Sequence, residues 1–381
     1  MIGLYIRDLD IVGGTHKQFL YLLNYLAANK KPFKVITTQL DYNKTYGGFS
    51  HYKNNIVCVQ KKVHSSLPLK IYYTILFILN VKRELKGIKA LNVHNLGLEL
   101  YFPFLYNKNI IWQINDLPEV FQVGVHKTEK ASFASRLRKK YLQFSSRYFV
   151  KAIAVNVSKN RKRVQDCLNM DAEVFYCGIE KIDIQKEIQL SLERFNAGQI
   201  NLLSSGVFFP YRNYETQIEV VKILKGKGYH IELNIIGPTE LDRLYADKII
   251  NLISKNKLDN EVKVRGQVSE DSYKQLHANS DIFMFINVDQ SWGLAVFEAM
   301  SCGLPVIVSN SVGATEILQD GFDSIFVEPL DAQLIANKIE LLVKDANTYL
   351  HYVKNGIEFS KRYTWDNAYS QHMYKLIAKY Q

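Results

Sequence analysis

Ile2-Gly-Leu-Tyr-Ile6, a loop reaching Gly13-Gly14, a helical pattern over Lys17–Ala28 and then Phe33-Lys-Val-Ile-Thr-Thr38 open the chain. The two outer runs read as strands, and the middle one repeats its apolar residues at helical spacing. Strand, glycine turn, helix, strand is the opening unit of a parallel α/β sheet. Working outward, further strands are predicted at Ile56–Val59, Ala90–Val93, Asn109–Ile114, Ala152–Val155 and Glu173–Gly178. The polar, charged stretch from Glu180 to Gln199 has no strand character and carries the domain boundary. Beyond it the pattern restarts. Ile200–Ser205, Ile231–Ile236, Val262–Val264, Asp281–Ile286, Pro305–Val308 and Ser324–Val327 read as strands. Helices are predicted between them at Tyr214–Lys225, Leu241–Asn256 and Glu270–Ala278. The strand at 281–286 is apolar after its first residue, as a strand covered by helices on both faces should be. The fold class is therefore α/β: two Rossmann-like doubly wound domains, 1–180 and 181–361, with an expected ligand cleft where they face each other.

Composition narrows the function. The chain has 381 residues, 47% hydrophobic and 22% charged, which suits two globular domains and excludes disorder. Cys58, Cys167, Cys177 and Cys302 are scattered, without the spacing of a zinc site or a disulfide framework. The N-terminus lacks a basic region followed by an apolar run, and Ile71–Leu79 is far shorter than the ~20 residues of a spanning helix. A cytoplasmic protein is expected. The net charge of +11 is uneven: residues 1–180 carry +15 and residues 181–381 carry −4. An anionic partner for the first half follows. Its densest basic cluster is Arg136, Arg138, Lys139 and Lys140, followed by Arg147 and Lys151. Phe133, Leu137, Tyr141, Phe144 and Tyr148 interleave with it as one stripe of a helix. That stripe reads either as packed on its own core or as belonging to a helix whose basic flank meets anionic lipid. No recognised nucleic-acid module accompanies the charge, so no nucleic-acid partner is expected.

The most informative spacing is Gln290-Ser-Trp-Gly-Leu-Ala-Val-Phe-Glu-Ala-Met-Ser-Cys-Gly303. Gly293 opens a helix that Gly303 ends. The free N–H groups and dipole at its start, around Gly293, Leu294 and Ala295, favour a phosphate. Glu298 lies one turn beyond Leu294, where its carboxylate suits the paired hydroxyls of a ribose. It reads equally as a glutamate offsetting the helix dipole. Asp8-Leu9-Asp10 has the form of a metal-binding pair but precedes a glycine pair at the start of the chain, and no metal is expected. No Walker loop and no Gly-x-Gly-x-x-Gly fingerprint occur.

The 290–305 segment resembles the signature of retaining glycosyltransferases of the family-4 type, which have the GT-B fold. There two glutamates eight positions apart surround an aromatic-Gly-Leu step. Here Gln290 stands in place of the first and Glu298 matches the second. Asn234–Pro238, Val262–Val268, Val312–Glu316 and Val327–Asp331 follow the family's order. The resemblance implies a diphosphate site at Gly206 and Arg212, the latter at the family's lysine position, with Val207 where an arginine is usual. Arg265, at another strand end, is a further candidate cation. In the first half Gly13-Gly14 stands at a glycine pair that admits donor and acceptor, and Asn115 at a histidine that contacts the donor sugar. His94 reads either as a structural group or as a cleft-lining one. The segment from Tyr363 to Tyr380 resembles a last helix that crosses back onto the first domain.

The resemblance thus implies transfer of a sugar, with retention, from a nucleotide diphosphate sugar to a hydroxyl of a glycan or lipid-linked acceptor, with no cofactor. The candidate catalytic residues are Arg212, Gln290, Glu298 and Asn115. The donor-binding candidates are Gly13, Gly14, Gly206, Arg212, Arg265, Gly293, Leu294, Ala295 and Glu298. An anionic membrane surface, met by the N-terminal domain at the inner face of the cell membrane, is the expected partner. A GT-B scaffold without turnover, assisting another transferase, is the alternative.

Overall fold

A computed structural model of the chain describes residues 1–62, 64–115, 133–179, 188–289 and 292–381. It divides into two compact units, Met1–Gly178 with Trp365–Gln381, and Ile179–Thr364. The sequence placed these limits at 180 and 361.

The first unit is built on a seven-stranded parallel sheet. Its spatial order is Ile56–Cys58, Phe33–Thr37, Ile2–Ile6, Ala90–His94, Asn109–Ile114, Val150–Val155 and Glu173–Val174. Ile2–Ile6 and Ala90–His94 are buried along their whole length, because helices cover both faces. Phe77, Val93, Phe102, Trp112 and Ile153 are among the core side chains. Trp365 stacks on Tyr21 at 4.9 Å, and the Asn109 amide donates to Tyr380 O at 2.8 Å. The C-terminal residues are therefore held on this unit by ring stacking and backbone contacts.

The second unit has a six-stranded parallel sheet in the order Val262–Gly266, His230–Ile236, Gln199–Ser205, Ile282–Phe285, Val306–Ser309 and Ile325–Val327. Its core includes Leu202, Val221, Ile235, Met284 and Ile307. Asp281, fully buried at the foot of its strand, accepts from the Arg194 guanidinium and from Asn201 N at 2.8 Å. A buried carboxylate needs such partners, since leaving it unpaired costs several kcal/mol, on the order of 3–5. Several helices are closed by side chains. Asp242, Ser269, Asp331 and Asp345 accept from backbone N–H groups at the helix starts that follow them.

The helix Phe133–Phe149 corrects one reading. Its apolar stripe does not pack on the core: Phe133, Leu137, Phe144 and Tyr148 stand exposed. The buried face is Leu142, Ser145 and Ser146, and Tyr141 is half-buried with its hydroxyl on Leu100 O at 2.7 Å. Two adjacent serines let the backbone approach the sheet. The sequence shows that a helix has an apolar face but not which face its neighbours cover.

His94 ends a central strand with both ring nitrogens buried and without a hydrogen-bond partner among the described residues. Its ring meets Phe19 edge-on at 4.7 Å. Burial, with a smaller push from His16, lowers its pKa to about 3. The unfolded chain takes a proton on this imidazole below about pH 6.5, whereas the folded chain does not until near pH 3. Stability therefore falls as pH drops through that window, by up to about 1.4 kcal/mol per pH unit. We expect urea midpoints to decline between pH 6.5 and 4 and His94→Leu to flatten that decline. An unchanged slope in the variant would remove His94 as the cause.

Candidate functional site

In the second sheet the order reverses between Gln199–Ser205 and Ile282–Phe285. Connections leaving two such strands diverge to opposite faces and open a crevice at their carboxyl ends. The two connections concerned hold most of the residues singled out in the sequence of this half. Gly206 follows the first strand, and Gly293 lies beyond the second.

Backbone packs very closely at this point. A Cβ on Gly237 would lie 1.9 Å from Gly206 O, so only glycine fits there. A Cβ on Gly206 would fall 2.5 Å from Arg212 Cζ. The missing side chain at 206 thus leaves the space that the Arg212 side chain fills. Its guanidinium carbon lies 5.4 Å from the Phe285 ring centre and 5.3 Å from that of Tyr211. Among the described residues its buried Nε has no hydrogen-bond partner, and its guanidinium makes no ion pair. A guanidinium held in place without a carboxylate is prepared for an anion from outside.

Gly293 meets the other edge of Phe285. Its φ of 92° is left-handed, and a Cβ would sit 2.9 Å from the Phe285 ring and 3.2 Å from Val312. It starts the helix Leu294–Ser301 with no side-chain cap and no acidic residue in the first turn. Leu294 and Ala295 are half-buried at that start. Unlike the helices closed by Asp or Ser, this one leaves its first N–H groups to an external acceptor. Glu298, on the same helix and 8% exposed, accepts from the Tyr273 hydroxyl at 2.6 Å. A carboxylate offers about four acceptor positions, so Tyr273 orients Glu298 without exhausting it.

Three residues that the sequence did not single out complete the arrangement. Asn213 takes a left-handed φ of 54° and donates to Ile286 O at 3.2 Å and Pro329 O at 2.6 Å. It ties the Arg212 loop to two other strand ends. An asparagine directly before a helix was the available signal, since asparagine tolerates this conformation. Asn287, 1% exposed, keeps its Nδ2 without a partner among the described residues. Tyr273 left no signal in the sequence, because it reaches Glu298 only through the tertiary fold.

Other candidates fall elsewhere. Arg265 lies on the edge strand, where its Nε donates to Asn234 Oδ1 at 2.6 Å and its guanidinium pairs with Glu232 at 3.5 Å. Those partners sit farther back along the neighbouring strand, so Arg265 is drawn along the sheet rather than brought to Arg212. Gln290 lies outside the described residues. Gly13, Gly14 and Asn115 belong to the first unit. Gly13 caps the helix Gly14–Ala28 with extended backbone, φ −174°, and a Cβ there would find its nearest neighbour at 3.5 Å. No glycine conformation is used at that position. Asn115 is 5% exposed and its amide donates to Gln18 at 2.7 Å and, more weakly, to Thr15 at 3.4 Å. Asn95 reaches the same Thr15 and also accepts from Asn115 N at 2.8 Å. The side chain expected to face a sugar is engaged in a buried amide network around the start of that helix. Asp8 is paired with Arg7 at 2.6 Å. Among the described residues no group of three or more His, Cys, Asp or Glu is placed to hold a metal.

Residues 185–359 match the family model of glycosyl transferases group 1. An uncharacterized glycosyltransferase of Methanocaldococcus jannaschii is 26% identical over 58% of this chain and 60% of its own length. The capsular polysaccharide biosynthesis glycosyltransferase CapM of Staphylococcus aureus is 28% identical over 42% of each chain. The matched stretches thus span less than two thirds of these relatives. The crystal structure of the Anabaena protein HepE in complex with UDP and glucose superposes with a TM-score of 0.76 at 13% identity. That match covers 99% of this chain and 100% of HepE. The chain therefore has the GT-B fold, and residues 185–359 are similar to the glycosyl transferases group 1.

Proposed function

We propose that the chain is a retaining, metal-independent glycosyltransferase. It moves a sugar from a nucleotide diphosphate sugar to a hydroxyl of a glycan or lipid-linked glycan in surface polysaccharide assembly. The observation that carries this reading is Arg212, stacked on Phe285 beside Gly293 with its Nε buried and unpartnered. The names of the relatives support it, since the Staphylococcus protein is a capsular polysaccharide glycosyltransferase and HepE was crystallised with UDP.

In this reading the diphosphate lies against Arg212 and the open N–H groups from Gly293 to Ala295, while Glu298 accepts from the ribose hydroxyls. Gln290 orients sugar hydroxyls, and Asn115 shapes the start of the helix at Gly14 through Thr15 and Gln18. The bond from the anomeric carbon to the phosphate oxygen breaks early, and the acceptor oxygen bonds to that carbon on the same face. The acceptor proton passes to the departing phosphate oxygen. No protein base is needed, which suits amides at 115 and 290 that do not titrate. Stabilising the departing diphosphate is the main electrostatic task, and one such contact is typically worth roughly 10²–10³-fold in rate.

The acceptor side of the proposal is a peripheral protein at the inner face of the cell membrane, held by the charge of residues 1–180. Among the described residues no helix is long and apolar enough to cross a membrane. The amide network around Asn115 favours the second reading, a GT-B scaffold without turnover, because that side chain is not directed to a substrate.

Turnover separates the two. Incubation with a panel of nucleotide diphosphate sugars and glycan acceptors in excess EDTA should release free nucleoside diphosphate. Release abolished by the chelator would end the metal-independent mechanism, and silence across the panel would favour the scaffold. Glu298→Gln should weaken UDP binding, read by calorimetry, by about tenfold, as expected for a hydrogen bond to a charged group. An unchanged affinity would sink the ribose assignment. Gly206→Ala, which forces the Arg212 guanidinium out of its place, should lower UDP affinity by a similar factor, and its positive φ should lower the melting temperature as well. Equal affinity in that variant would show that Arg212 does not hold the diphosphate.

A further inference from the structure

One face of the first unit has exposed apolar side chains and strong positive charge together. Every residue from 64 to 72 is exposed, although Leu67–Glu84 is a regular helix from its third turn packed on Phe77, Ile78 and Val81. Leu67, Leu69, Ile71, Tyr72, Ile75 and Leu79 each leave at least 40% of their surface to solvent. Of these, Leu67, Ile71, Ile75 and Leu79 line an open groove with Phe104, Lys70 and Lys82. Tyr106 beside it is 72% exposed and lies under the Lys82 ammonium at 5.8 Å. Soluble surfaces scatter single apolar residues; a contiguous patch of this kind marks a contact.

The charge around the patch identifies the partner. From residue 42 to residue 83 there is no Asp or Glu, whereas Lys44, Lys53, Lys61, Lys62, Lys70, Lys82 and Arg83 fall within that stretch. The helix Phe133–Phe149 likewise contains five cations and no acid. It shares a support with the first helix: Tyr101 meets Phe77 at 5.7 Å, and the neighbouring Leu100 O accepts from Tyr141. A protein interface of this size would carry about one hydrogen bond per 100–200 Å². The exposed face of Leu67–Glu84 instead presents alkyl and aromatic groups and lysines, with few other donors or acceptors. Apolar side chains that enter an acyl layer, aromatic rings at its edge and lysines that extend to phosphates match an interfacial helix.

We propose that the first turns of Leu67–Glu84, with Phe104 and Tyr106, insert into the acyl boundary of an anionic lipid bilayer while Phe133–Phe149 lies against its headgroups. This rests on the membrane side of the proposed function and not on its nucleotide chemistry. It assigns the apolar anchor to a segment that is too short to span and that carries no motif.

Sedimentation with vesicles of phosphatidylglycerol and phosphatidylcholine tests it, with UDP calorimetry on the same samples as the separate measure of the nucleotide reading. Ile71→Asp combined with Ile75→Asp should lower vesicle affinity at least tenfold and leave UDP binding unchanged. Lys139→Glu with Lys140→Glu should lower it chiefly at low salt. Tyr72→Trp in the otherwise native chain should shift its emission to the blue on vesicles and be quenched by lipids brominated in the acyl chain. Vesicle binding that persists in the aspartate variant, or a Tyr72→Trp probe that brominated lipid does not quench, overturns the insertion. A dimer that the aspartate variant dissociates, with vesicle binding unaltered, would assign the face to a second copy of the chain. Loss of UDP binding in the native protein would overturn only the nucleotide reading.

Discussion

The candidate site depends on one packing constraint, the approach of the Gly237 backbone to the carbonyl of Gly206. It leaves no room for side chains where the first two strands of the second sheet end. The free space beside Gly206 is taken by Arg212, whose guanidinium comes to rest over Phe285. Gly293, on the far edge of the same ring, turns the chain into an uncapped helix. A ring from a central strand thus supports both a cation and a helix start. Neither is neutralised by a described side chain, and both are charges or dipoles suited to an external anion. Asn213 secures the arrangement by bonding two carbonyls on other connections.

The two units use polar groups differently. In the second, the buried Asp281 is paired with Arg194, the exposed Arg265 with Glu232, and Arg212 has no ion pair with a described residue. In the first, the buried polar groups are mostly amides, hydroxyls and imidazoles, and the buried Lys108 ammonium is satisfied by the carbonyls of Leu85 and Ile88. Lys70 and Lys82 of this unit adjoin exposed apolar side chains, among them Leu67, Ile71 and Leu79. A surface of that composition is suited to a charged interface with an apolar interior behind it.

Much of the second unit was legible in advance. Its strands begin and end within about a residue or two of where apolar runs meet glycine or proline, because a strand covered on both faces has to be apolar throughout. Gly206 and Arg212 were singled out through the resemblance to a known family, and Gly293 as the glycine that opens a helix. Arg265 stands at a strand end, yet its direction was set by Asn234 and Glu232 on the adjacent strand. Asn115 was found as a position but not as an orientation: Gln18 and Thr15, about a hundred residues away, turn its amide inward.

By itself the sequence determined the order of the main strands, the restart of the pattern near residue 200 and the glycines that strand ends require. These follow from local periodicity and backbone sterics, which act over a few residues. Only the tertiary structure decided which side of the helix at 133–149 is covered, which cations are already paired, and which buried groups are left without partners. Those outcomes depend on contacts between segments far apart in the chain, and local spacing carries no record of them.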